Sequence, residues 1–240
     1  MGTDLLARAD GLRTERTPFV LATVVRAQRP TSAKAGDRAI VFSDGTIEGF
    51  VGGACAESTV RAEGIRLLTT GESTLLRITP EPDPPDPGDE GLIVVGNPCL
   101  SGGTLEIFLE PVLPPVLVYV FGVAPIARAL VAVGEAVGYD MRPSDDPAAP
   151  IPPDAAAVVV ASHGRDEESV LARALRGGVP YVGLVASRRR GGAVLAGLDV
   201  PDELRDRVRT PAGLDLGART AAEVALSVLA EMVQQRAAPR

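Results

Sequence analysis

The chain has 240 residues, a formal net charge of −7 and an isoelectric point near 4.9, a balance that argues against nucleic-acid binding and against a polybasic membrane anchor. No apolar run is long enough to span a bilayer, and the opening MGTDLLARAD lacks the basic-then-apolar pattern of a secretory signal. Two cysteines in a chain this size do not make a disulfide framework and fit a reducing cytoplasm. With a single histidine they argue against a structural zinc site, and the lack of tryptophan argues against base stacking.

Asp4 to Leu12 reads as a short amphipathic helix and Phe19 to Val25 as a strand. Gln28 to Asp37 follows as a polar loop containing Thr31, Ser32 and Lys34. It reads either as a solvated turn or as an anion cradle. Arg38–Phe42 and Thr46–Phe50 flank Ser43-Asp44-Gly45, and Asp-Gly between two apolar runs signals a hairpin with a type I′ turn. The hairpin delivers the chain to Val51-Gly52-Gly53-Ala54-Cys55-Ala56-Glu57-Ser58, the sharpest chemical signal in the sequence. Small residues there admit a close approach to the backbone. Cys55 falls in the first turn of a helix running to about Leu68, where open N–H groups and the helix dipole favour a thiolate. A buried, inert cysteine is the alternative. Glu57 stands ready to balance the thiol, to accept a proton or to complement the dipole. Val60, Ile65 and Leu68 are expected to face the core.

Thr74 to Ile78 and Leu92 to Val95 read as strands on either side of an acidic, proline-rich excursion from Pro80 to Gly88. Gly96 to Gly103 is a second glycine-rich loop, with Cys99 inside it and Gly102 and Gly103 at its end, leading into a strand over Thr104–Leu109. Glu110 to Pro115 reads as a linker. The expected division is therefore 1–115 and 116–240.

Beyond it, Val116–Phe121 is the continuous apolar run of a strand buried on both faces. Gly122-Val123-Ala124-Pro125-Ile126-Ala127 occupies the place of a dinucleotide fingerprint but keeps only its first glycine. Asp145 or Asp146 sits where an acid would bind a ribose hydroxyl, against the plainer reading of a loop carboxylate at a strand end, which the residue type favours. Ala155–Ala161 is another buried strand, ending at the lone His163, where open α/β sheets place ligands. Tyr181–Ala186 follows a helix over Glu168–Arg176 and leads into Ser187-Arg188-Arg189-Arg190, a run that either grips an anion or is solvated. Thr220 with Glu223 forms a capping box before the last helix. The fold class expected is α/β, a small mixed α+β domain followed by a Rossmann-like parallel-sheet domain.

Several of these stretches together resemble the XdhC/CoxI family of accessory factors for xanthine dehydrogenase and carbon monoxide dehydrogenase. They are Pro30 to Lys34, Gly52 to Glu57, Asn97 to Gly103 running into Glu106, Tyr181 to Leu184, Ser187 to Arg190, and Gly213 to Thr220. The resemblance covers nearly the whole chain. It implies a chaperone that binds the molybdenum cofactor, a molybdopterin dithiolene, and delivers it to a molybdenum hydroxylase apo-enzyme. It further implies a sulfurtransferase or cysteine desulfurase as a partner in sulfuration, and a homodimer. On that reading Cys55 is the candidate contact to molybdenum, with Cys99 second, and Thr31, Ser32, Lys34, Gly52 and Gly53 receive the pterin or its phosphate. Gly102, Gly103, Gly122, Asp145 and His163 complete the candidate cofactor-binding set. The alternatives are an NAD(P)-dependent oxidoreductase, which Ala124 in the fingerprint disfavours, and a sulfur-transfer enzyme using Cys55.

Overall fold

The computed structural model describes residues 4–82, 90–96 and 103–237. It divides into two compact units, Met1–Pro114 and Pro115–Arg240, and each has its own sheet and core.

The first unit runs α1 (Leu5–Thr14), β1 (Phe19–Gln28), β2 (Arg38–Phe42), β3 (Ile47–Gly49), α2 (Ala54–Thr70), β4 (Thr74–Thr79), β5 (Leu92–Gly96) and β6 (Thr104–Val112). The strands form one six-stranded sheet in the order β3-β2-β1-β6-β4-β5, antiparallel except for the β4–β5 pair. Alternation along β1 and β6 sends Val20, Ala22, Val24, Leu105, Ile107 and Leu109 to one face, where they pack with α2. Ala56, Val60, Gly64 and Leu67 form the buried stripe of α2. Ile65, expected inward, is 40% exposed, because the core stripe follows the i, i+4, i+8 spacing from Ala56 rather than the one through Ile65. On the opposite face, Ala9 and Leu12 of α1 cover Phe19 and Ile40.

Two local expectations change. The Ser43–Gly45 loop is closed by Gly45 N–H donating to Phe42 O at 3.0 Å, and only Gly45 has positive φ, +83°. That is a three-residue loop ending in a left-handed glycine, not a type I′ turn, which needs two such residues. Strand β6 also continues through Glu110 and Pro111 to Val112, pairing with Leu21, Val20 and Phe19, where a linker was expected. Pro111 lies past the end of the β4 pairing, so β6 has only one neighbour there, a setting that tolerates proline.

The second unit runs β7 (Leu117–Phe121), α3 (Pro125–Ala136), β8 (Asp140–Ser144), β9 (Ala157–Val160), α4 (Glu167–Arg176), β10 (Tyr181–Leu184), α5 (Arg188–Gly197), α6 (Asp202–Arg205), β11 (Val208–Arg209) and α7 (Ala221–Ala237). Its five strands are all parallel in the order β11-β10-β9-β7-β8. β7, β9 and β10 are buried throughout, as strands covered on both faces must be. Leu130 of α3 and Val228 and Met232 of α7 pack on one face; Val170, Leu171 and Leu175 of α4 and Val194 of α5 pack on the other. The order of strands reverses between β7 and β9, the topological switch point of a doubly wound sheet. The expected α/β class, a mixed unit followed by a Rossmann-like parallel one, is what the chain forms. Among the described residues no helix is long and apolar enough to cross a membrane.

Candidate functional site

Three of the stretches singled out in the first unit meet in space. Gln28 at the end of β1 pairs with Thr104 at the start of β6, so the chain leaving β1 and the chain entering β6 lie side by side. They touch at Gly103: a Cβ there would stand 2.2 Å from the carbonyl oxygen of Pro30 and 2.7 Å from that of Gln28. The third stretch joins them at Gly52. With φ at +139°, its position would bring a Cβ within 2.9 Å of Ala56 Cβ and 3.2 Å of Leu105 Cδ1, and 4.0 Å from Ala33 Cβ. Only glycine fits at either place. Ala33, Val51, Ala56 and Leu105, one or more from each stretch, share a single buried cluster.

The loop after β1 is shaped by its own polar groups. Thr31 Oγ1 accepts from Ala33 N–H at 3.3 Å, and Asp37 Oδ2 accepts from Lys34 N–H at 2.7 Å. Ala33 is thereby turned inward while the side chains of Ser32 and Lys34 stay exposed. Gly53 then caps α2 without a side-chain hydrogen bond. The first helical bond runs from Glu57 N–H to Gly53 O at 3.0 Å, so the amides of Ala54 and Ala56 precede any helical carbonyl partner. A Cβ at Gly53 would meet nothing within 4 Å. Gly53 and Ala54 are exposed and Cys55 is half-buried, in the second position of α2. The arrangement offers an anion two things, backbone donors and the positive end of a 17-residue helix dipole, with one thiol at the same turn.

Glu57 is taken up elsewhere. Its carboxylate pairs with Arg61 at 2.6 Å, and Arg61 Nε donates to Gly45 O at 2.8 Å. Two residues beyond Cys55, Glu57 also points to a different side of the helix. Cys99 and Gly102 lie outside the described residues. No group of three His, Cys, Asp or Glu side chains that could hold a metal ion occurs among the described residues.

The remaining candidates belong to the second unit. Gly122, at φ +122°, would carry its Cβ 2.4 Å from Ala161 O, so this glycine serves the close approach of the chains leaving β7 and β9. Ala124 caps α3 without a side-chain bond, and Pro125 at the helix start has no N–H to give. Asp145 is exposed just past β8. His163 is exposed too, in a left-handed conformation at φ +55°. Ser187 to Arg190 is not a loop but the start of α5, with Ser187 Oγ accepting from Arg190 N–H at 3.3 Å.

Two carboxylates that the sequence did not single out organise this end of the sheet. Glu167 is 1% exposed. One of its oxygens accepts from Gly164 N–H at 2.9 Å and Ser162 Oγ at 3.2 Å, and the other is paired with Arg190. Glu231 on α7 accepts from Tyr181 Oη at 2.6 Å and from Gly213 N–H at 2.8 Å. Burial and this carboxylate push the Tyr181 hydroxyl well above its ordinary value. Glu167 sits in the charged run Arg165 to Glu168 and Glu231 alone among apolar residues of α7, and no spacing marks either.

Residues 118–232 match the model of the XdhC Rossmann domain, and residues 12–79 match that of the XdhC and CoxI family. Among curated proteins, the chain is 26% identical over 261 aligned residues to the uncharacterized protein YqeB of Escherichia coli K12, covering 96% of this chain and 46% of YqeB. The chain thus spans about half the length of that relative. It is 25% identical over 265 aligned residues to the molybdenum cofactor insertion chaperone PaoD of the same organism, covering 90% of this chain and 83% of PaoD. A crystal structure described as a xanthine dehydrogenase from Bacillus halodurans aligns with a TM-score of 0.45 at 17% identity, over 96% of this chain and 95% of that one. On the two model matches, the chain belongs to the XdhC and CoxI family.

Proposed function

We propose that this protein binds the molybdenum cofactor and hands it to a molybdenum hydroxylase. The observation that carries the reading is the meeting of the Pro30–Lys34 loop, the Gly52–Cys55 turn and Gly103 in one place. The relative PaoD, a molybdenum cofactor insertion chaperone, supports it. The cofactor is cargo, an anionic pterin carrying a soft metal–sulfur centre. The residues present suit it: uncapped amides at Ala54 and Ala56 and the ammonium of Lys34 for the phosphate, open space over Gly53, and the Cys55 thiol as a soft ligand. Ser32 adds a hydroxyl.

The chain's own work is to hold, shelter and release. Anion contacts through exposed Ser32, Lys34 and Ala54 bind without locking, which suits delivery. The recipient is a hydroxylase of the xanthine dehydrogenase or carbon monoxide dehydrogenase type, sulfuration by a cysteine desulfurase takes place during the holding step, and the chain acts in the cytoplasm as a homodimer. A sulfur-transfer enzyme is the weaker reading, since Glu57 is engaged by Arg61 and gives Cys55 no base. A dinucleotide oxidoreductase is weaker too, because Pro125 removes a phosphate donor and Ala124 adds a methyl group.

Anaerobic titration of the purified apo-protein with molybdenum cofactor tests the proposal. Binding should weaken at least tenfold in Cys55→Ala and less in Lys34→Ala, with circular dichroism unchanged. Absence of binding to the wild type would sink the reading, and unchanged retention by Cys55→Ala would remove the thiol's role.

A further inference from the structure

A cleft of about 610 Å³ opens in the second unit at the carboxyl ends of β9, β10 and β11, the edge where parallel α/β sheets take ligands. Ile126, Leu214, Leu216 and Val224 give it apolar walls, and His163, Ser187, Arg188 and Asp215 bring polar groups to the same space. An apolar concavity of this size with a few convergent polar groups has the make-up of a small-molecule site. The cofactor reading above makes no use of it.

The cleft's polar rim is held in place from behind. Buried Glu167 ties the left-handed turn carrying His163 to Arg190, and Arg190 also donates to Val185 O at 2.8 Å. Glu231 fixes Gly213, whose φ is +104° and whose Cβ would stand 2.4 Å from Ser227 Oγ. The loop after β10 and the loop after β11 are thus each anchored by a carboxylate. Of the arginines at the start of α5, Arg190 is consumed by Glu167. Arg188 lines the cleft and forms no hydrogen bond or ion pair among the described residues. The amides of Arg188 and Arg189 precede the first bond of that helix, from Gly191 N–H to Ser187 O at 2.8 Å. A cation, helix amides and an apolar wall in one cleft call for an anion attached to an apolar ring.

We propose that this cleft binds a small organic phosphate of the nucleoside monophosphate class. Arg188 and the α5 amides take the phosphate, the apolar walls take the base, and Asp215 accepts from sugar hydroxyls. A dinucleotide would instead need the α3 start, where Pro125 and Ala124 offer it little.

Calorimetric titration of the full chain with AMP tests this, with inorganic phosphate and NAD as the comparison ligands. AMP should bind, phosphate alone more weakly, and Arg188→Glu should weaken AMP at least tenfold, as expected for loss of a charged contact. Arg189→Ala, on the same helix but outside the cleft lining, should bind AMP as the wild type does. Cys55→Ala should too, which separates this site from the cofactor reading. The proposal fails if AMP does not bind, if Arg188→Glu binds it unchanged, or if Arg189→Ala loses as much. Phosphate binding as tightly as AMP would reduce the cleft to an anion site, and NAD binding more tightly than AMP would overturn the mononucleotide assignment.

Discussion

In the amino-terminal unit loops meet because glycines let backbones touch: Gly103 lies on the Pro30 carbonyl, and Gly52 packs against Ala56 and Leu105. In the carboxy-terminal unit loops meet because carboxylates gather donors, buried Glu167 from Gly164, Ser162 and Arg190, and half-buried Glu231 from Tyr181 and Gly213. The two devices fail differently. A glycine contact tolerates no added atom, whereas a carboxylate hub tolerates added volume at its rim but not loss of its charge. The first leaves amides and side chains outward around Cys55; the second leaves one arginine, Arg188, unspent beside a cleft.

The largest effect should come from removing a hub. Glu167→Ala strands the Arg190 guanidinium and leaves Gly164 N–H unpaired, while Ser162 Oγ keeps Arg165 O at 2.8 Å. Breaking a buried pair of this kind costs about 3 kcal/mol. That is the low end of the usual range, because the Arg190 side chain is 34% exposed. Urea unfolding should report the loss, and hydrogen exchange should place it in peptides covering 162–190. Glu167→Gln should recover part of it. If Glu167→Ala is as stable as the wild type, the hub is ornamental and the contrast collapses. Gly103→Ala comes next, at about 2 kcal/mol for forcing a methyl group against a carbonyl, with exchange rising in peptides covering 26–36. Exchange unchanged there would mean that the Gly103–Pro30 contact does not hold the loop.

The same contrast explains what the sequence made legible. Glycine motifs announce themselves, so Gly52, Gly53, Gly103 and Gly122 were all singled out, and the strand pattern gave both sheets. The reason for a glycine was less legible: Gly122 matched a fingerprint, yet it is needed for the approach to Ala161. Carboxylate hubs are silent, because a glutamate at the start or middle of a helix looks the same whether solvated or buried. Helix α5 was missed for a related reason. Three arginines read as a charged run, while the partner that makes one of them structural, Glu167, lies 23 residues away.

Tyr181 tests the second hub through pH. Its folded hydroxyl is held un-ionised above the ordinary value of 10.0, while the unfolded tyrosine ionises near that value. The unfolded state therefore binds fewer protons above about pH 10, and stability, full below that point, should fall as pH rises. Tyr181→Phe should flatten this slope and cost about 1.5 kcal/mol at neutral pH, the loss of a hydrogen bond to a charged group. Urea unfolding between pH 8 and 11 reads both; a slope surviving in Tyr181→Phe would assign it to another residue.

The smallest effect isolates what burial adds. Glu223 gathers donors as Glu167 does, accepting from Arg219 N–H at 2.7 Å and Thr220 N–H at 2.9 Å, while Thr220 Oγ1 accepts from Glu223 N–H at 3.2 Å. Those backbone bonds hold its carboxyl below the ordinary value of 4.5. The unfolded carboxyl takes up its proton first as pH falls. The contribution is therefore present above that value and lost on acidification through the lower folded one. Yet Glu223 is fully in water, where solvent and salt compete for the same donors. Glu223→Gln keeps the reciprocal geometry and removes only the charge, so it should unfold slightly more easily than the wild type at pH 6, and the difference should close as acid protonates the folded carboxyl. Adding salt should shrink that difference, while the stability lost in Glu167→Gln should resist it. If salt erases both alike, depth is not what separates a hub from a cap, and the carboxylate device of the second unit reduces to ordinary helix capping.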